Sequence, residues 1–389
     1  MGLAGRSALD KVLALRGGPD LVARWAQLGS VMELVTGVAV AGVATGLTVY
    51  VARTPRAERQ ADLMREARRL ALLVALCVAA TAAMALWSWT ETVLGSGSNG
   101  LLLLLAAAGG WLATGVALVN AYWLGLQQRG RMLLLALGGA ALSVAAALFA
   151  PDRGLLGLLV CAQSLPGALV FFFREGRRPR FRQRSHPLHR YVVPGLAIGI
   201  LGPASFLAAR SIVGESLSWK DAGELQALWR LSDWVCAFAA GILSLHYLPR
   251  FAALRGTPAF APELRRAFAA TVLPSAAAFL VVFAAREPLL GALYGPAFVP
   301  SAQTAGLVFA GSLLRIASWI PLFALYAMRS TRTIAVAELL SVPLFAGLVA
   351  LAGEGLTLEL AAASWAAAYA AYFAFNAWAA RSAIRRARS

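Results

Sequence analysis

Five ionisable side chains sit inside long apolar runs: Arg210, Arg230, Asp233, Arg315 and Glu338. A charge in hydrocarbon costs several kcal/mol unless it is paired or hydrated, so such groups mark either a wet path or an internal ion pair. Arg315 is the sharpest case. It stands twelve residues into the apolar run 303–327, roughly 18 Å along a helix rising about 1.5 Å per residue. A side chain at that depth does not readily reach an interface. Guanidinium suits an anionic ligand because it stays charged and donates bidentate hydrogen bonds. The alternative is a structural ion pair with Glu338 on the next run. Arg230 and Asp233, three positions apart on one helix, share a face and can partly neutralise each other. Arg210 falls near the end of its run, where snorkelling to the interface is easy. The expectation is that Arg315, helped by Arg210 and Arg230, faces a cavity between two halves of the chain.

Soluble catalytic patterns are missing from the sequence. It has no P-loop, no HExxH, no GxSxG in a strand-turn-helix setting, and no loop longer than about twenty residues to hold a nucleotide-binding domain. The reading is therefore a non-enzyme without a cofactor. The three cysteines, Cys77, Cys161 and Cys236, each lie in an apolar run with no CxxC pair, and are expected as buried free thiols without a metal. The net charge of +17 invites a nucleic-acid partner, but the arginines sit in short loops between apolar runs and form no basic, aromatic-rich patch, so none is expected.

What must position these side chains is a membrane-spanning bundle. Of the 389 residues, 60% are apolar and only 14% are charged. A soluble domain carries about a quarter charged. The apolar residues come in runs long enough to cross about 30 Å of hydrocarbon as helix. Eleven spans are expected, at about 31–52, 70–93, 100–122, 131–150, 154–173, 191–213, 223–248, 268–285, 303–327, 333–352 and 357–379. Backbone in lipid must satisfy its own polar groups, and no period-2 alternation supports a β-barrel, so the fold class is all-α. Arginines crowd alternate loops, such as Arg53 to Arg69, Arg174 to Arg190 and Arg250 to Arg266, while 94–99, 151–153, 214–222, 286–302 and 353–356 hold almost none. Basic loops stay in the cytoplasm. The expected location is the bacterial inner membrane, multi-pass, with a cytoplasmic C-terminus. The same alternation puts residues 17–30 on the periplasmic side. Residues 8–16 are too short and too charged to cross before them, so either the chain begins earlier or most of a first helix is missing, and a shortened start is the expectation. No cleavable signal peptide is visible. The expected division is an N-terminal lobe over 1–173, a basic cytoplasmic linker over 174–190 and a C-terminal lobe over 191–389.

Three blocks carry a resemblance. Gly223-Glu224-Leu225-Gln226, followed by Trp229, Ser232 and Asp233 and closing on Tyr247-Leu248-Pro249, is similar to the Gly-x-Trp-Gln, Ile-Ser-(Asp/Glu) and Tyr-x-Leu-Pro pattern of the Wzx flippases. Gly311-Ser312-Leu313-Leu314-Arg315, then Ala337-Glu338, resembles the Gly-Asp-x-x-Lys and Ala-Glu blocks of the O-antigen and enterobacterial common antigen (lipid III) branch. Gly42 to Ala52 is similar to that branch's second helix. Ser312 stands where the family has Asp, Leu225 where it has Trp, and Val49 where it has Lys.

The resemblance implies the MATE-like fold of the multidrug and oligosaccharidyl-lipid exporter superfamily, twelve helices in two six-helix lobes. It implies a substrate, an undecaprenyl-diphosphate-linked oligosaccharide moved from the cytoplasmic to the periplasmic leaflet by alternating access. It also implies that Gln226, Asp233 and Glu338 line the substrate site with the three arginines. The partners it implies are a polysaccharide polymerase and a chain-length regulator. Two other readings are open: a multidrug or small-molecule antiporter of the same fold, and a membrane polysaccharide polymerase or ligase. A reporter fusion tests the orientation: alkaline phosphatase joined after Ser389 should be inactive, and joined within 286–302 active, with the reverse result overturning the assignment.

Overall fold

Long Leu, Ala and Val runs without solvating loops fold to helix because helix satisfies every backbone donor and acceptor within one segment. The computed structural model describes residues 3–41, 43–53, 57–172, 192–328 and 330–386, and helix is the only regular structure among them. The helices are α1 (Leu3–Val40), α2 (Val43–Arg53), α3 (Ala57–Trp87), α4 (Thr90–Leu94), α5 (Leu101–Gly125), α6 (Arg129–Phe149), α7 (Leu155–Phe172) and α8 (Val192–Ser216). They continue with α9 (Trp219–Ile242), α10 (Leu248–Ala253), α11 (Phe260–Ala284), α12 (Arg286–Leu293), α13 (Ala302–Ala327), α14 (Thr331–Leu339), α15 (Val342–Ala352) and α16 (Leu358–Arg386). Among the described residues, eight helical segments are long and apolar enough to cross a bilayer. The chain is an all-α, multi-pass membrane protein.

Two expectations are corrected. Residues 17–30 were expected outside the membrane helices, yet α1 only kinks at Gly17–Gly18 and runs on as helix from residue 19. Gly18 has φ of +64°, a left-handed conformation that glycine adopts freely and that ends the first helical stretch. Pro19 then starts the second stretch, where its missing N–H would be unpaired anyway. Val22, Leu28, Val31 and Val35 of that stretch are buried. The span expected at 333–352 is present as Arg332–Gly355, with a local break between α14 and α15 where Pro343 has no N–H to continue the ladder. Finally, only Cys236 of the three free cysteines is buried; Cys77 and Cys161 are exposed on the surface of the bundle. The basic linker expected at 174–190 lies outside the described residues.

Packing groups the residues into two units: Met1–Arg16 with Arg24–Leu207, and Gly17–Ala23 with Ala208–Ser389. In the first unit, Val43, Leu47 and Val51 of α2 meet Leu63, Ala67 and Ala71 of α3 and Leu118 and Ala121 of α5. The i, i+4 spacing of the small α3 side chains lets backbones approach, as membrane helices require. Hydroxyls add cross-helix bonds: Thr48 donates to the Ala121 carbonyl at 3.0 Å and Thr36 to the Gly110 carbonyl at 2.9 Å. Arg16 donates to the Ala147 carbonyl at 2.7 Å and forms an ion pair with Asp152, tying the end of the first helical stretch to the α6–α7 turn.

In the second unit, α13 and α16 lie against each other along their length. Gly311 makes that contact possible, since a Cβ there would come within 2.4 Å of the Trp365 ring and 2.9 Å of the Ala366 backbone. At the far end of α13, Ile320, Ala324 and Ala327 join Leu243, Tyr247, Phe251 and Phe260 in one buried cluster. Gly311→Ala should therefore lower the thermal stability of the purified protein by the equivalent of about 1–3 kcal/mol through overpacking. An unchanged melting temperature would show that α13 and α16 can part without cost.

Candidate functional site

Helix α9 begins at Ser218, whose hydroxyl accepts from the Asp221 N–H at 3.0 Å and caps the first turn. From there Gln226, Arg230 and Asp233 fall on one stripe, because seven residues make nearly two whole turns and span about 10 Å. Each end of the stripe meets a guanidinium from another helix. At the first end, Arg210 of α8, 4% exposed, donates through Nη1 to Gln226 Oε1 at 3.0 Å. Arg210 is thus enclosed, contrary to the expected snorkelling, because α9 supplies an amide oxygen that holds it inside.

At the other end, Arg315 of α13 donates through Nη1 to Asp233 Oδ1 at 3.3 Å. Side-chain exposure is 24% for Arg315 and 35% for Asp233, so the pair is half-buried. Two aromatic rings flank the guanidinium: its Cζ lies 5.2 Å from the Trp319 ring centre and 5.9 Å from that of Tyr369. Contacts of this kind contribute about 0.5–2 kcal/mol, more when desolvated. Guanidinium carries five N–H donors, and among the described residues Asp233 is its one hydrogen-bond acceptor. The group is held on its faces by rings and at one edge by a single carboxylate, which leaves donors for a further anion.

Glu338 does not take the role of ion-pair partner foreseen for it. Its Oε1 accepts from the Tyr372 hydroxyl of α16 at 3.0 Å, while the carboxylate bonded to Arg315 comes from α9. Glu338 sits in the last turn of α14, just before the break that precedes α15, and α16 reaches it there. The sequence pairing of Arg230 with Asp233 is likewise superseded: Asp233 bonds across to α13, while Arg230 lies half-buried on the same stripe.

The aromatic frame went unread in the sequence. Trp365, Tyr369, Tyr372 and Asn376 of α16 recur at spacings of four, three and four, one face of a helix otherwise rich in alanine. That periodicity was the available signal. Trp365 is 1% exposed, packs at 4.6 Å from Tyr369 and 5.2 Å from Trp229, and donates through Nε1 to Ser312 Oγ at 3.3 Å. Ser312 is itself fully buried and donates to the Val308 carbonyl at 2.8 Å. This is the position where the resembling family carries Asp. Here a hydroxyl, both donor and acceptor, serves the indole N–H without placing a charge in the packed contact.

No protein-family model matches the chain, and no curated protein matches it. Solved structures do. A multidrug resistance MATE family transporter of the MOP superfamily, in its inward-facing conformation, aligns over 99% of this chain and 94% of its own, with a TM-score of 0.73 at 14% identity. The outward-facing conformation of a MATE family transporter of that superfamily aligns over 99% and 93%, with a TM-score of 0.63 at 13% identity. The lipid II flippase MurJ, in an inward closed conformation, aligns over 99% and 88%, with a TM-score of 0.65 at 10% identity. The chain has the MATE-like fold that these proteins share.

Breaking the Asp233–Arg315 pair leaves one charge uncompensated. Loss of a partner costs about 3–5 kcal/mol when a pair is fully buried; partial exposure reduces the expectation for Asp233→Asn to roughly 1–3 kcal/mol. Adding Arg315→Gln should restore part of that loss. A double-substitution cycle by thermal denaturation reads the coupling, and strictly additive effects would show that the two side chains do not interact.

Proposed function

We propose that this chain is a flippase that moves an undecaprenyl-diphosphate-linked oligosaccharide, an O-antigen or related polysaccharide unit, from the cytoplasmic to the periplasmic leaflet of the bacterial inner membrane. The observation that carries the reading is Arg315. It is a mid-helix guanidinium, half-buried between two rings, with one carboxylate acceptor and donors to spare. The polyprenyl tail of such a substrate remains in lipid, and the diphosphate and sugars need a polar, cationic route. A diphosphate matches the fork of guanidinium donors and outweighs a single carboxylate in charge. Arg210 and Arg230, on the other part of the stripe, are the proposed secondary contacts, with Gln226 orienting Arg210, Asp233 orienting Arg315 and Glu338 nearby. The halves 1–173 and 191–389 are the proposed lobes. The partners on this reading are a polymerase and a chain-length regulator, and the C-terminus is cytoplasmic. Likeness in fold to a lipid II flippase supports a lipid-linked substrate.

A second reading, export of small cationic molecules, draws on the likeness to multidrug transporters. It would use Asp233 and Glu338. The guanidinium bonded to Asp233 opposes it, since a cationic drug would have to displace a tethered cation.

Vesicles holding the purified protein and radiolabelled lipid-linked oligosaccharide test the proposal. Wild type should move the label across the bilayer without covalent change. Arg315→Ala should abolish movement at normal expression, and Arg315→Lys should keep part of it. Full activity of Arg315→Ala rejects the role of the residue, and drug efflux without lipid movement selects the second reading.

A further inference from the structure

Helix α9 continues through a π-helical turn, Leu243–Tyr247, into α10, and a turn at 254–259 leads back into α11. This corner of the second unit carries Arg250, Arg255, Arg265 and Arg266 against Glu263 alone, four positive charges to one negative over residues 243–268, a surplus of three. Glu263 does not offset them at the surface. It is 4% exposed, and its two oxygens meet arginines, Oε1 to Arg250 Nε at 2.9 Å and Oε2 to Arg266 Nη1 at 3.9 Å. One covered carboxylate thus draws two guanidiniums together, while their side chains stay 48% and 77% exposed. His246 Nε2 lies 3.0 Å from Arg250 Nη1 and further fixes that arm. Arg255 and Arg265 are exposed beside them.

The surface next to the charges is apolar. Leu245 is 79% exposed and Phe268 38% exposed, one on each helix leading away from the corner. Arginines that serve only to orient a chain in the membrane need no shared anchor. Here Glu263 gathers Arg250 and Arg266 on a corner that also exposes Arg255, Arg265, Leu245 and Phe268, a combination that matches a phosphate with an acyl chain behind it. We propose that this corner is a docking site for an anionic phospholipid of the leaflet it faces, with the headgroup phosphate on Arg255, Arg265 and Arg266 and an acyl chain along Leu245 and Phe268. The site is separate from Arg315 and does not depend on the transported substrate.

The full chain in nanodiscs tests this. Discs of phosphatidylcholine alone are compared with discs that also hold phosphatidylglycerol, and lipids retained on release are counted by native mass spectrometry. Wild type should retain phosphatidylglycerol in preference to phosphatidylcholine. Each basic residue near an anionic surface contributes about a fivefold factor, so Arg255→Gln, Arg265→Gln and Arg266→Gln together should weaken retention by about 100-fold. The corresponding triple Lys variant, which keeps the charge and tests that the corner is intact, should retain the lipid. Equal retention of both lipids by wild type, retention by the Gln variant at the wild-type level, or loss from the Lys variant overturns the proposal.

Discussion

A cation near the middle of a membrane helix must be held by protein, because lipid offers no acceptor and the interface is out of reach. Arg315 imposes that demand on the second unit. Asp233 of α9 answers its charge, and Trp319 and Tyr369 cover the guanidinium faces. Each of those side chains must be steadied in turn. Trp319 is one turn along the same helix, and Tyr369 rests on Trp365, which rests on Trp229 and Phe345. The network therefore links α9, α13, α15 and α16 around one charge.

The close approach of α13 and α16 is the backbone side of the same arrangement. Tyr369 can reach a guanidinium on α13 only if the two helices nearly touch, and Gly311 permits that contact one turn before Arg315. Ser312 beside it accepts the buried Trp365 N–H, so the indole does not leave a polar atom stranded in the contact. Small residue, hydroxyl, arginine and tryptophan at 311, 312, 315 and 319 thus serve one purpose, which is to bring a ring-lined cation to a fixed depth. A lone carboxylate at 3.3 Å is a looser clasp than a bidentate pair.

The candidate residues were legible in the sequence because the membrane makes charge conspicuous. Arg210, Arg230, Asp233, Arg315 and Glu338 stand out by their cost in an apolar run, and no partner needs to be known to notice them. Their pairings were not legible. Asp233 has Arg230 three residues away in sequence, yet it bonds to Arg315, 82 positions distant, while Glu338 receives a tyrosine from 34 positions on. Arg210 looked free to reach the interface until Gln226 enclosed it. Local spacing ranks neighbours on one helix only, and the stronger claim comes from the helix packed alongside.

Sequence alone determined that this chain is a helical membrane protein, roughly where its helices run, and which of their residues are too costly to be there without a purpose. Those properties follow from hydrocarbon thickness and backbone satisfaction, which act on each segment separately. Only the tertiary structure decided which charges meet, that α1 turns at Gly18 and continues as buried helix, and that α16 lays its tyrosines against Arg315 and Glu338. These depend on which faces of separate helices are brought within a few ångströms, and that choice is made by packing the whole unit at once.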